Sequence, residues 1–166
     1  MKHLVTSGCS FSDIINLDGK IWPTFVANSL GYSLHSEGKT SMGNYYIATT
    51  IIQKVSELLK NNIPPEQILV GVEWSGVNRE DYIYNSEWKN VSFPVYLDFY
   101  GFMKKYFNSL FNKNKILNAI TDTHERIFFE KYWDPENSLV KSLQNILLVQ
   151  YFLEKHNIKY FMFYMS

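Results

Sequence analysis

Short unbroken apolar runs, bounded by turn residues, alternate along this chain with longer segments of helical periodicity. The short runs His3–Thr6, Tyr32–His35, Gln67–Trp74 and Ile158–Tyr164 predict buried strands. Ile47, Ile51, Ile52, Val55, Leu58 and Leu59 recur at helical spacing and predict a helix from about Asn44 to Asn61, which Asn62-Ile63-Pro64-Pro65 breaks. An earlier helix is predicted from Trp22-Pro23, with proline in the first turn, through Phe25, Val26 and Leu30 to a closing Gly31. Phe102–Phe111 and about Asp134–His156 read as further helices, and residues 80–101 as an irregular insertion rich in aromatics. The order is βαβαβ, the insertion, then helices and a strand. It predicts an α/β fold: a three-layer α/β/α sandwich on a mostly parallel, flavodoxin-like sheet.

In such a sheet the loops that follow the strands gather at its carboxyl edge, where open α/β folds place their ligands. Three loops are predicted there. The first is Gly8-Cys9-Ser10-Phe11-Ser12, the second Gly38-Lys39-Thr40-Ser41-Met42-Gly43-Asn44, and the third Ser75-Gly76-Val77-Asn78-Arg79. A serine on a tight turn beside backbone or amide donors is the equipment of acyl transfer. The plainer alternative is that Ser10 is an ordinary turn residue, since serine is common where strands end.

Composition narrows the classes. At 166 residues the chain fits one domain with a core of its own. Sixteen basic residues balance sixteen acidic ones, which argues against a nucleic-acid partner. The single Cys9 leaves no internal disulfide and suits a reducing, cytoplasmic compartment. Lys2 and His3 lead into a strand-like run rather than a signal peptide, and no run approaches the roughly 18 apolar residues of a membrane span. No spacing of His, Cys, Asp and Glu suits a metal, and no cofactor is expected.

The three loops together resemble the blocks of the SGNH, or GDSL-like, hydrolases. Gly-Cys-Ser-Phe-Ser, with Trp22-Pro23 downstream, looks most like intracellular and phage-encoded branches of that family. The resemblance covers about residues 1–80. It places Ser10 at the nucleophile position. It implies an oxyanion hole made by the backbone N–H groups of Ser10 and Ser41 with the Asn78 side chain. Three departures stand out. Cys9 replaces an aspartate, Ser41 stands where the family has glycine, and Asn78 falls one residue late, so that Ser75 or a backbone group is an alternative donor. The family's Asp-x-x-His block, which supplies the general base, has no counterpart here. On this reading the domain is incomplete at its carboxyl-terminal edge, and a base must come from beyond Ser166, from another chain, or from His124. His35 closes a strand and is within conceivable reach of the loops. His3 and His156 belong to the opposite edge.

Other residues carry two readings each. Cys9 is a buried small residue or a second nucleophile; Asn44 is a helix cap. Arg79 is a surface residue or a ligand for an anionic substrate group. Tyr82 and the aromatics that follow it are a packing layer or a stacking surface for substrate. The implied function is a serine esterase or acyl hydrolase, acting on a small ester such as an O-acetylated carbohydrate. The rival is a non-catalytic SGNH-like binding or assembly domain, truncated or completed by another chain. Self-association or a second protein chain at the carboxyl-terminal edge is expected in either case.

Overall fold

The structure, a computed structural model, describes residues 1–15, 20–77, 79–92 and 134–164. Four parallel strands form the sheet: β1 (His3–Ser7), β2 (Ser33–Ser36), β3 (Ile68–Trp74) and β6 (Lys159–Tyr164), in the order β2-β1-β3-β6. Helices α1 (Trp22–Leu30), α2 (Asn44–Lys60) and α3 (Pro135–Lys155) cross between them. β4 (Arg79–Tyr84) and β5 (Glu87–Ser92) form a separate antiparallel hairpin.

Alternation along the strands divides the side chains between two helical layers. Val5, Val70 and Val72 face α2 and α3, where Ile47, Ile51, Val55, Val149 and Leu153 complete a fully buried cluster. Each such side chain contributes about 1.5–3 kcal/mol by leaving water. On the opposite face Trp22 of α1 packs edge-on against Phe161 and Phe163 of β6, with ring centroids 5.8 and 5.1 Å away. These layers make the molecule the three-layer α/β/α, flavodoxin-like fold that the periodicity predicts. α1 ends where Gly31 takes φ +64°, a left-handed conformation that costs glycine least. Asp134 caps α3, its carboxylate accepting from the Asn137 N–H at 2.8 Å.

One segment differs from expectation. Residues 80–92, read from sequence as part of an irregular insertion, form with Arg79 the β4–β5 hairpin. Its turn residues Asn85 and Ser86 both have positive φ, 50° and 63°, as a two-residue turn of right-handed twist requires. Aromatic side chains mask the strand alternation here, because both faces of the hairpin carry them. The expected helix Phe102–Phe111, the remainder of the aromatic insertion, His124 and Asn78 lie outside the described residues.

Candidate functional site at the carboxyl edge

The sheet's strand order reverses between β1 and β3, and the first and third loops leave the sheet there, at the crevice where open α/β sheets bind ligands. The three predicted loops are brought together. The Glu37 N–H donates to the Thr6 carbonyl at 2.8 Å and the Lys39 N–H to the Gly8 carbonyl at 3.1 Å, joining the second loop to the first. The buried Asp13 carboxylate fastens the same pair, accepting from the Thr40 N–H at 2.7 Å and the Thr40 hydroxyl at 2.8 Å. The second and third loops are joined by Asn44. Its side-chain amide donates to the Ser75 carbonyl at 3.0 Å, and its Oδ1 accepts from the Ser75 N–H at 2.8 Å.

Asn44 is therefore a loop clamp, correcting its reading as a helix cap. It is the first residue of α2, and the cap comes from another element. Asp81 of β4 accepts from the N–H of Gly43 at 2.7 Å and of Tyr46 at 2.9 Å. Burial is the largest influence on this carboxyl group and raises its pKa above the ordinary value, while the two amides pull the other way.

Beneath the first loop lies a buried acid that the sequence reading did not single out. Glu73 of β3 is completely buried. Its carboxyl group accepts from the Ser12 hydroxyl at 2.5 Å, the Cys9 thiol at 3.1 Å and the Trp22 indole N–H at 3.1 Å. The loop wraps so closely that a Cβ on Gly8 would lie 2.3 Å from Ser12 Oγ and 2.8 Å from Glu73 Cβ. Only glycine leaves room for that approach. Burial, followed by the hydrogen bond to Glu73, pushes the Cys9 thiol up. A buried thiol held protonated is a packing group rather than a nucleophile. An acid inside an otherwise apolar strand, Val-Gly-Val-Glu-Trp, was the available sign of this cluster.

Ser10 follows directly, opening a 3₁₀ turn over Ser10–Ser12. It is half-buried, and its hydroxyl has no hydrogen-bond partner among the described residues. Ser41 is exposed and has φ +70°, the left-handed conformation that favours the glycine it replaces in the resemblance. Among the described residues, neither the Ser10 N–H nor the Ser41 N–H donates to another group. The Ser41 carbonyl accepts from the Asn90 side chain, so β5 holds the second loop from outside. Ser75, the alternative donor, is buried; its N–H is used by Asn44 and its hydroxyl has no partner among the described residues.

The described histidines lie away from Ser10. His35 is turned to His3, with Nε2 and Nδ1 3.0 Å apart, which corrects the expectation that it approaches the loops. Burial first, then the His3 ring, lowers the His35 pKa below 6.5. His156 closes α3 immediately before β6, at the amino edge of the sheet, and its ring lies tilted against Phe152 with centroids 4.8 Å apart.

Arg79 begins β4 rather than lying in a loop. Its Nη1 donates weakly to the Met42 carbonyl at 3.4 Å. Its charge also reaches Cys9, where it favours the thiolate. Arg79 lines a cavity of about 270 Å³ between the start of α2, β4 and the first half of α3. Tyr82 is exposed on the hairpin and does not line that cavity. Among the described residues no His, Cys, Asp and Glu are grouped to hold a metal ion, and no helix is long and apolar enough to cross a membrane. Comparison with family models and with curated proteins finds no match to this chain.

Proposed function

We propose that the carboxyl-edge cluster around Ser10 is an ester-hydrolase site on an SGNH-like frame. One observation carries this reading: Ser10 stands at the strand-order reversal with a hydroxyl that has no partner among the described residues, and the N–H groups of Ser10 and Ser41, which donate to no described residue, lie on the two loops fastened there. In the reaction Ser10 Oγ bonds to the ester carbonyl carbon and its proton passes to a base. Carbonyl electrons move onto the oxygen, where backbone N–H donors stabilise the charge. As the carbonyl re-forms, the C–O bond to the alcohol breaks and the alcohol leaves with the proton. Water then cleaves the acyl-serine, releasing the acid and restoring Ser10. The base belongs to residues outside those described, and His124 is this chain's candidate. Ser10→Ala is expected to abolish both hydrolysis of p-nitrophenyl acetate and labelling by a fluorophosphonate probe. Unchanged turnover in that variant would sink the reading.

A second reading has an observation of its own. The described histidines sit away from Ser10, and Glu73 is wholly engaged by Ser12, Cys9 and Trp22. A frame kept without its base is a binding or assembly domain. Absence of fluorophosphonate labelling at neutral pH, in a chain that still folds, favours it. Both readings include association through the carboxyl-terminal edge, where β6 ends the order of described strands. A reducing, cytoplasmic compartment fits either one.

A further inference from the structure

We propose that His3 and His35 form an acid-sensitive latch that holds β2, and with it the second loop, against β1. The latch does not rest on the hydrolase reading; it concerns how the edge of the sheet is fastened.

Strand register makes the contact. In the parallel pair β1–β2, His35 stands opposite Val5, and His3 lies two residues before Val5. Alternation therefore puts both rings on the face that Val5 turns toward α2. His3 Nδ1 and His35 Nε2 meet there at 3.0 Å, with the rings tilted by 32° and their centroids 5.2 Å apart. Both residues are half-buried. A hydrogen bond between two ring nitrogens needs a proton on one and a free lone pair on the other. The pair is satisfied with both rings neutral, and also with one ring protonated. When both are protonated, each ring directs an N–H at the other, and two positive charges stand in contact.

The surroundings leave that second charge uncompensated. Lys54 of α2 acts on the His35 ring with a third positive charge. Glu37, just after β2, and Glu57 of α2 act in the opposite sense, but both are paired with Lys54, at 3.5 and 2.7 Å. α1, on the other side of the sheet, carries no charged residue. Lys2, the chain neighbour of His3, sits over the Tyr32 ring, 5.7 Å from its centroid. Burial, then the charges of His3 and Lys54, lower the His35 pKa below 6.5 against the two carboxylates. The folded chain thus binds this proton more weakly than the unfolded chain. The latch is closed above 6.5 and opens as pH falls through the lowered value.

The latch controls a defined segment. β2 is four residues long and ends the order of described strands, so β1 is its one strand partner among the described residues. On one side of His35 the Ser33 N–H donates to the Lys2 carbonyl at 2.9 Å. On the other side the Glu37 and Lys39 N–H groups donate to the Thr6 and Gly8 carbonyls at 2.8 and 3.1 Å. Repulsion between the rings pushes these donors from their acceptors, and Lys39 leads directly to Thr40 and Ser41. β3 lies between β1 and β6 and has no part in the contact. Short edge strands open at lower free energy than central ones.

The test is amide hydrogen exchange of the full chain, read by NMR as protection factors at pH about 7.5 and about 5. Protection at the Ser33, Glu37 and Lys39 amides is expected to fall about tenfold or more at the lower pH, with the amides of β3 unchanged. His35→Gln keeps hydrogen-bonding groups and removes the titration, so the fall is expected to shrink to less than about twofold. In His3→Gln the ring titration of His35, followed by NMR, is expected to move to higher pH, because the like charge beside it is gone. Equal protection at the two pH values overturns the latch, and so does a loss shared equally by β3. A fall that persists in full in His35→Gln, or a His35 titration that His3→Gln leaves in place, does the same. The exchange comparison on the unsubstituted chain decides alone if either variant fails to fold.

Discussion

Glu73 and Ser10 differ by what surrounds them. Glu73 is an acceptor for the buried Cys9 and Ser12 donors and the half-buried Trp22 indole, so its contribution is to structure. Glu73→Ala leaves the Cys9 and Ser12 donors without their acceptor, while the Trp22 indole keeps Ser12 Oγ at 2.9 Å; each unsatisfied buried group costs about 1–3 kcal/mol. The expected result is a loss of about 3 kcal/mol or more in urea unfolding, with the first loop loosened. A loss below about 1 kcal/mol would mean that the buried acid is dispensable. Ser10 is the opposite case. It is half-buried, has no hydrogen-bond partner among the described residues and sits next to that cluster, so Ser10→Ala is expected to leave the unfolding midpoint in place while removing turnover and probe labelling. Coincident loss of fold and activity would make Ser10 a structural turn residue.

At the scale of elements, the hairpin matters as much as the helices it braces. β4 delivers Asp81 to the start of α2, and β5 delivers Asn90 to the Ser41 carbonyl. Asp81→Ala removes the acceptor for two α2 amides and is expected to cost about 1–2 kcal/mol at pH 7. Its pH dependence has a definite sign. Burial raises the folded-state pKa above the ordinary 3.8, so the folded chain binds this proton more tightly than the unfolded chain. The protonation-linked part of the group's contribution is full below 3.8 and is lost as pH rises through the raised value, leaving the amide acceptance that counts at pH 7. The variant's deficit should therefore widen as pH falls toward 3.8, read by urea unfolding at several pH values. A deficit that shrinks on acidification would contradict the burial argument.

Considered whole, the molecule covers both faces of its sheet but leaves one region apolar and exposed. Leu139, Val140, Leu143, Leu147, Leu148 and Tyr151 of α3 are each about half exposed or more. β6, Lys-Tyr-Phe-Met-Phe-Tyr, ends the order of described strands with only Lys159 as a charge. Patches and edges of this kind associate. Sedimentation velocity is expected to show concentration-dependent self-association, weakened by Leu143→Glu and Leu147→Glu together. A clean monomer at high concentration would count against association through this edge.

Periodicity and turn chemistry determined much from the sequence alone. Four strands, α1, α2 and α3 fell within a residue or two of their observed bounds, because buried runs and the 3.6-residue repeat are local in the chain. Parallel order then required the three loops to share an edge, so the neighbourhood of Ser10 was legible before any coordinates. What only tertiary structure decided was partnership. Asn44 clamps Ser75 instead of capping, Asp81 caps from 35 residues beyond Tyr46, and Glu73 collects donors from the first loop and α1. His35 pairs with His3 across two strands and not with a loop. Local spacing carries no record of contacts between residues far apart in sequence, and a polar side chain's role is set by which donor or acceptor the folded chain brings to it.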